Sequence, residues 1–240
     1  MKRSTKLFLD ILMGAVVPIL ILSYLTRPLG APMAYLAAAL VPVGWVFADL
    51  LLITRRFNFI TSYVGLSAVV RGALAFWFVD GWQFALKDSA GAIVAALVFA
   101  LSALVGHPIM RAFLMQALAP DTPERAAALA RLLAEPPVAR AIVGGNSLVL
   151  AWNLVSGAIN FLLNLRIVTA PFGIEAFNQQ VAQVNAITRI ALALPEFVVF
   201  GVAFWLIFRA LYRSLPSEAG KPQMESDFWE LVRLREAGSG

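Results

Sequence analysis

The chain contains no cysteine and a single histidine, His107. The first absence excludes disulfides, iron–sulfur clusters and thiolate zinc sites. The second excludes His-rich metal centres and bis-His haem ligation within one chain. Charge is scarce as well: 14% of the 240 residues are Asp, Glu, Lys or Arg, where a soluble domain carries about 25%. So few charges cannot cover a water-facing surface, which excludes a freely soluble protein. No H-E-x-x-H, P-loop or G-x-S-x-G occurs, so the motifs of zinc proteolysis, nucleotide hydrolysis and serine hydrolysis are missing. No two acids stand at helical spacing within an apolar run, and no histidine pair exists for a phosphatase of the phosphatidic-acid type. The expectation is a protein without catalytic residues, metal or cofactor, with a lipid-modifying enzyme as the least favoured class.

What is abundant is apolar surface. Hydrophobic residues make up 60% of the sequence and the mean hydropathy is +0.80. Six apolar runs approach the roughly 20 residues that a hydrocarbon core about 30 Å thick requires: 7–26, 33–53, 59–79, 90–115, 142–167 and 187–210. Backbone amides in lipid have no water to bond, so each run is expected to be helical, and Pro18, Pro42 and Pro195 read as kinks inside them. Span one is too long, and lacks the small-residue cleavage site, for a removable leader. The expected fold is therefore all-α: a polytopic membrane protein of six transmembrane helices in one bundle over 1–215, with a cytoplasmic tail over 216–240. No internal repeat suggests the inverted halves of many transporters.

The net charge of +5 reports orientation rather than affinity for nucleic acid. Lys2, Arg3 and Lys6 precede span one, Arg55 and Arg56 follow span two, and Arg111, Arg125, Arg131 and Arg140 surround the connection between spans four and five. Arg209, Arg213, Lys221, Arg233 and Arg235 follow span six. With six spans all of these share one side, and the other keeps only Arg27, Lys87 and Arg166, so both termini are expected in the cytoplasm of a bacterial inner membrane. Asp121-Thr-Pro-Glu124 opens a helix, and Leu129, Leu132 and Leu133 suit it to the membrane surface over about 123–134. Met224, Phe228, Leu231 and Val232 give the tail an amphipathic face, the second element able to dock a partner.

A charge at the bilayer centre costs about 2.5–3.5 kcal/mol on the insertion scale, so each needs an explanation. Arg71 lies thirteen residues from Asn58, about 20 Å along a helix, and Glu196 lies thirteen residues before Arg209. Their matching depth predicts a pair. Arg189, seven residues before Glu196, is expected on the same helix face. Asn146, Asn153 and Asn160 recur every seven residues along span five. The expectation is an intramembrane polar cluster of Arg71, Glu196, Asn153 and Asn160, flanked by Arg189 and Asn146. Such a cluster is either interhelical glue or a site for a substrate, ion or proton. A second cluster is expected at the cytoplasmic face, from Asp10, Asp49, Arg55, Arg56, His107 and Arg111, as interfacial ion pairs or a lipid-headgroup contact. Lys87 and Asp88, beside Trp77 and Trp82, read as interfacial anchors.

The run from Val79 to Leu114, with its acidic turn, aromatic and lysine element, apolar span and Gly106-His107-Pro108-Ile109 exit, resembles the bacterial YciB family, also called intracellular septation protein A. His107 stands where that family often has lysine. Asn146, Gly157 and Asn160 match its asparagine followed later by Gly-x-x-Asn. The resemblance covers roughly 58–165. It implies an inner-membrane protein of cell-envelope maintenance and division, in contact with membrane lipids and with envelope or division proteins, and it carries over no catalytic residue. A scaffold of this kind, with homo-oligomer formation compatible, is the first functional expectation. A small transporter or flippase working through the Arg71 and Glu196 cluster is the second.

Overall fold

The computed structural model describes residues 3–54, 59–217 and 226–238, and every regular element among them is a helix. Lys2, Arg55, Arg56, Lys221 and Met224 lie outside the described residues. Four helices are long and apolar enough to cross a membrane: Ala31–Ile53, Gly81–Leu104, Pro136–Ile167 and the broken stretch Glu175–Arg213. Phe8–Tyr24 and Ile109–Leu118 are apolar but shorter. Helix Phe59–Ala75 ends four residues before the expected limit of span three.

The differences from the expected spans follow from glycine and proline. The stretch 90–115 is two helices, α6 (Gly81–Leu104) and α7 (Ile109–Leu118). Gly106, at φ +74°, turns the chain between them, and Pro108, whose ring cannot continue a helix, stands before α7. Pro136 and Pro137 open α9 (Pro136–Ile167), because the first helical positions need no amide donor. In the last stretch, α10 (Glu175–Ala191) and α11 (Ala193–Arg213) are separated at Leu192. Pro195 in the first turn of α11 has no amide for the carbonyl of Ala191, so the helix cannot run through.

The chain divides into two compact units, 1–94 with 153–195 and 95–152 with 196–240. In the first, α2 (Val17–Tyr24) and α4 (Ala31–Ala48) pack against each other and against α10 around Leu22, Ala34, Ala38, Phe177 and Val181. The small side chains of Ala34 and Ala38 let the helix backbones approach closely. After the short α3 (Thr26–Leu29), Gly30, at φ +78°, makes the turn into α4 that a β-carbon would strain.

In the second unit, α8 (Pro123–Ala134) starts on Thr122, whose Oγ1 accepts from the amide of Arg125 at 3.2 Å. Its apolar residues Leu129, Leu132 and Leu133 do not lie on a lipid surface. They are buried in a protein core with Met110, Leu114, Val138 and Leu211. The C-terminal helix α12 (Phe228–Gly238) adds Phe228, Leu231 and Val232 to the same core. Arg131 pairs with Glu236 at 2.6 Å, Arg235 with Glu135, and the guanidinium of Arg125 lies 5.2 Å from the ring of Trp229. The two amphipathic elements therefore cover each other.

Outside the cores the helices present large apolar side chains. Leu104 is 82% exposed and Phe197 77% exposed. Exposed apolar side chains of this size, among many such residues, are compatible with a protein held in a membrane.

Candidate functional site

The site begins with a missing amide. Between α1 (Arg3–Ile11) and α2 the chain passes through a π-helical turn, Leu12–Val16, the kind of insertion often found at functional positions. Pro18 follows and has no N–H to offer the carbonyl of Gly14 four residues back. That carbonyl accepts instead from Nη2 of Arg189, 2.7 Å away. Arg189 stands in the last turn of α10, where the helix dipole favours a cation.

Arg189 has charged neighbours in the same unit. Arg71, on α5 (Phe59–Ala75), and Asp88, on α6, lie close enough for both charges to act on it. Arg71 reaches α6 at Gly91: a β-carbon there would stand 2.9 Å from the Arg71 Nη2. The absent side chain is what admits the guanidinium. Gly91 is ten residues into α6, about 15 Å from its start, half the thickness of a hydrocarbon core.

Asp88 is the one carboxylate here among the described residues, and α9 holds it. Asn160 and Asn164 each donate from Nδ2 to its Oδ2, at 3.0 and 2.9 Å, and Asn160 Nδ2 also reaches Ser89 Oγ at 3.1 Å. Asn164 is 1% exposed and its Oδ1 has no partner among the described residues. Lys87, read from the sequence as an interfacial anchor, has its side chain turned into the protein. It is buried, its Nζ donates to the carbonyl of Trp77, and it sits 4.8 Å from the ring centre of Tyr35. Tyr35 belongs to an edge-to-face aromatic group with Phe84, Phe172 and Phe177. Lys87 and Asp88 lie in the second turn of α6 because that helix starts at Gly81, nine residues earlier than the apolar run suggested.

Within helices of the first unit the Asp88 carboxylate thus acts on both Lys87 and Arg189, and the charge of Arg71 acts on Arg189. Arg71 and Asn160 are the members of the expected intramembrane cluster that meet this group. Asn153 is half-buried on α9, its carbonyl accepting from Ser156 Oγ at 3.2 Å. Glu196 falls in the second unit, in the first turn of α11, with an interaction of its own. Its expected common face with Arg189 presumes an unbroken helix, which the interruption at Leu192 removes. Asn146 is fully buried in the second unit and donates to the carbonyl of Phe99 at 3.0 Å.

The expected cytoplasmic-face residues divide similarly. In the first unit Asp10 accepts from the indole Nε1 of Trp45 at 2.9 Å, and Asp49 opens a second π turn, Asp49–Thr54. In the second unit His107 is exposed in the turn before α7, and Arg111 donates to the carbonyl of Ala130 at 3.2 Å. Arg55 and Arg56 lie outside the described residues.

Lys87, Asp88 and Ser89 are the members that sequence reading left outside the polar cluster. Asp88, Asn160 and Asn164 carry a signal that could have found them: two amides one helical turn apart suit a single carboxylate. Four membrane-length apolar helices are compatible with an integral membrane protein. Comparison with protein families, curated proteins and solved structures finds no match.

Proposed function

We propose that this chain is a non-enzymatic bacterial inner-membrane protein, crossing the bilayer six times with both termini cytoplasmic, that acts as a small transporter or flippase for an anionic ligand. One observation carries the reading: inside apolar helices Arg71 acts on Arg189, and Arg189 and Lys87 have Asp88 as their one carboxylate among the described residues. Buried or lipid-facing charge is expensive, and two cations in excess cost more than interhelical hydrogen bonds return. An anion that passes or docks there offsets that cost. The test is flux from proteoliposomes loaded with labelled small anions or fluorescent anionic lipid. Wild-type protein moves at least one of them, and Arg71→Leu or Arg189→Leu cuts the rate at least tenfold. Flux equal to protein-free vesicles across the panel overturns the transport reading.

A septation-protein-A type of envelope scaffold is the second reading, supported by the resemblance of 79–114 and of Asn146, Gly157 and Asn160. Its docking surface would not be the apolar faces of α8 and α12, which cover each other. Partners would meet the charged outer faces, Arg125, Arg131 and Arg233 included.

A further inference from the structure

We propose that Arg71 and Arg189 bind a protonated phosphate group, either free phosphate or the monoester headgroup of a lipid, with Asp88 accepting a hydrogen bond from its P–OH. This rests on the anionic-ligand reading above and names its chemistry.

Two exposed guanidiniums in one unit, near enough to act on each other, repel. The one charge of Asp88, hydrogen-bonded by Asn160 and Asn164, acts on Lys87 as well as on Arg189, so it does not balance both guanidiniums. Guanidinium pairs match the geometry of a tetrahedral oxyanion, each offering two parallel N–H donors. Arg189 gives one Nη2 hydrogen to the carbonyl of Gly14, which fixes the side chain and leaves further donors. Arg71 is brought in where Gly91 leaves room.

Asp88 decides which oxyanion fits. A carboxylate beside an anion site repels a fully deprotonated guest, and it accepts a hydrogen bond from a guest that keeps a proton. Sulfate has no proton at neutral pH, nor does a phosphodiester. Hydrogen phosphate does, and a phosphate monoester, whose second pKa is about 6, does in its monoanionic form, the form this site would hold. The arrangement therefore selects phosphate over sulfate, and phosphatidic acid over phosphatidylglycerol.

The test uses the full chain in detergent and in nanodiscs. Titration calorimetry and thermal shift with inorganic phosphate and with sulfate read the first arm. Native mass spectrometry after loading with phosphatidic acid or phosphatidylglycerol reads the second. Phosphate binding at least tenfold tighter than sulfate assigns a free-phosphate site, and selective retention of phosphatidic acid alone assigns the lipid headgroup. Asp88→Asn should abolish the preference, and Gly91→Ala, whose new methyl displaces Arg71, should weaken binding severalfold while the circular dichroism spectrum stays helical. No binding in either arm, or equal binding of phosphate and sulfate by the unaltered chain, overturns the proposal. Flux of a carboxylate without phosphate binding overturns it and leaves the transport reading standing; phosphate binding without flux does the reverse.

Discussion

Arg189 donates to the carbonyl of Gly14 at 2.7 Å across 175 positions of sequence, and it does so where Pro18 has withdrawn the ordinary helical donor. A hydrogen bond from a charged group contributes about 1.5–3 kcal/mol. Arg189→Met should accordingly lower the midpoint of thermal unfolding in detergent. Pro18→Ala restores an amide four residues after Gly14, so it should recover more stability in the Arg189→Met background than in the unaltered chain. Equal effects in the two backgrounds would show that the residues do not share this carbonyl.

The contact between α8 and α12 sets apart two kinds of interaction. Leu231 is fully buried, and Leu231→Ala should cost about 2–5 kcal/mol as a core truncation. Arg131 and Glu236 pair with side chains 63% and 44% exposed, so Arg131→Ala should cost less than about 1 kcal/mol. Limited proteolysis near the C-terminal helix reads both: rapid cleavage is expected for the leucine variant and near-normal resistance for the arginine variant.

Asn146 is fully buried and donates to the carbonyl of Phe99, while its Oδ1 has no partner among the described residues. Interhelical hydrogen bonds in membrane proteins contribute about 0.6 kcal/mol on average, with a maximum near 1.7. Asn146→Leu removes the donor together with the unsatisfied acceptor. It should therefore change the free energy of unfolding by no more than about 1.7 kcal/mol, without altering anion flux. A large loss of flux would give Asn146 a role in the site.

The absence of cysteine makes the six-span proposal directly measurable, because any introduced thiol is the only one. Cysteines at Thr5, His107, Thr122 and Ser217 should react with an impermeant maleimide only from the cytoplasmic side. Those at Arg27 and Gly173 should react only from the other. Labelling of Thr5 and Arg27 from the same side would remove span one from the count.

That the apolar stretches are helical, and that four of them are long enough to cross a membrane, was legible in the sequence because a hydrocarbon core asks for some twenty apolar residues with every amide paired internally. Helix ends were less legible. Gly106 and Pro108 break a run that hydropathy alone reads as continuous, and Pro195 interrupts another at Leu192. The candidate site was half visible. Arg71, Arg189 and Asn160 stood out as polar groups in apolar surroundings, but Asp88 was hidden by the assumption that α6 begins at residue 90. With the helix starting at Gly81, the same carboxylate turns from a boundary residue into the partner of Asn160 and Asn164. Leu129, Leu132 and Leu133 on α8 announced an amphipathic helix but not its partner, since a protein core and a lipid surface ask for the same pattern.

The π turn at Leu12–Val16 also sets the phase of everything before it. One surplus residue in an otherwise α-helical rod rotates the preceding segment by about 100° relative to an uninterrupted helix. Asp10, which meets the indole of Trp45 at 2.9 Å, points toward α4 only because of that surplus. Removing a single residue from the turn would leave hydropathy and length almost unchanged, yet it would swing the Asp10 carboxylate off its partner and present a different stripe of α1 to the rest of the unit. Within this first helix a deletion is a rotation, and aligning it by hydropathy alone would conceal the change.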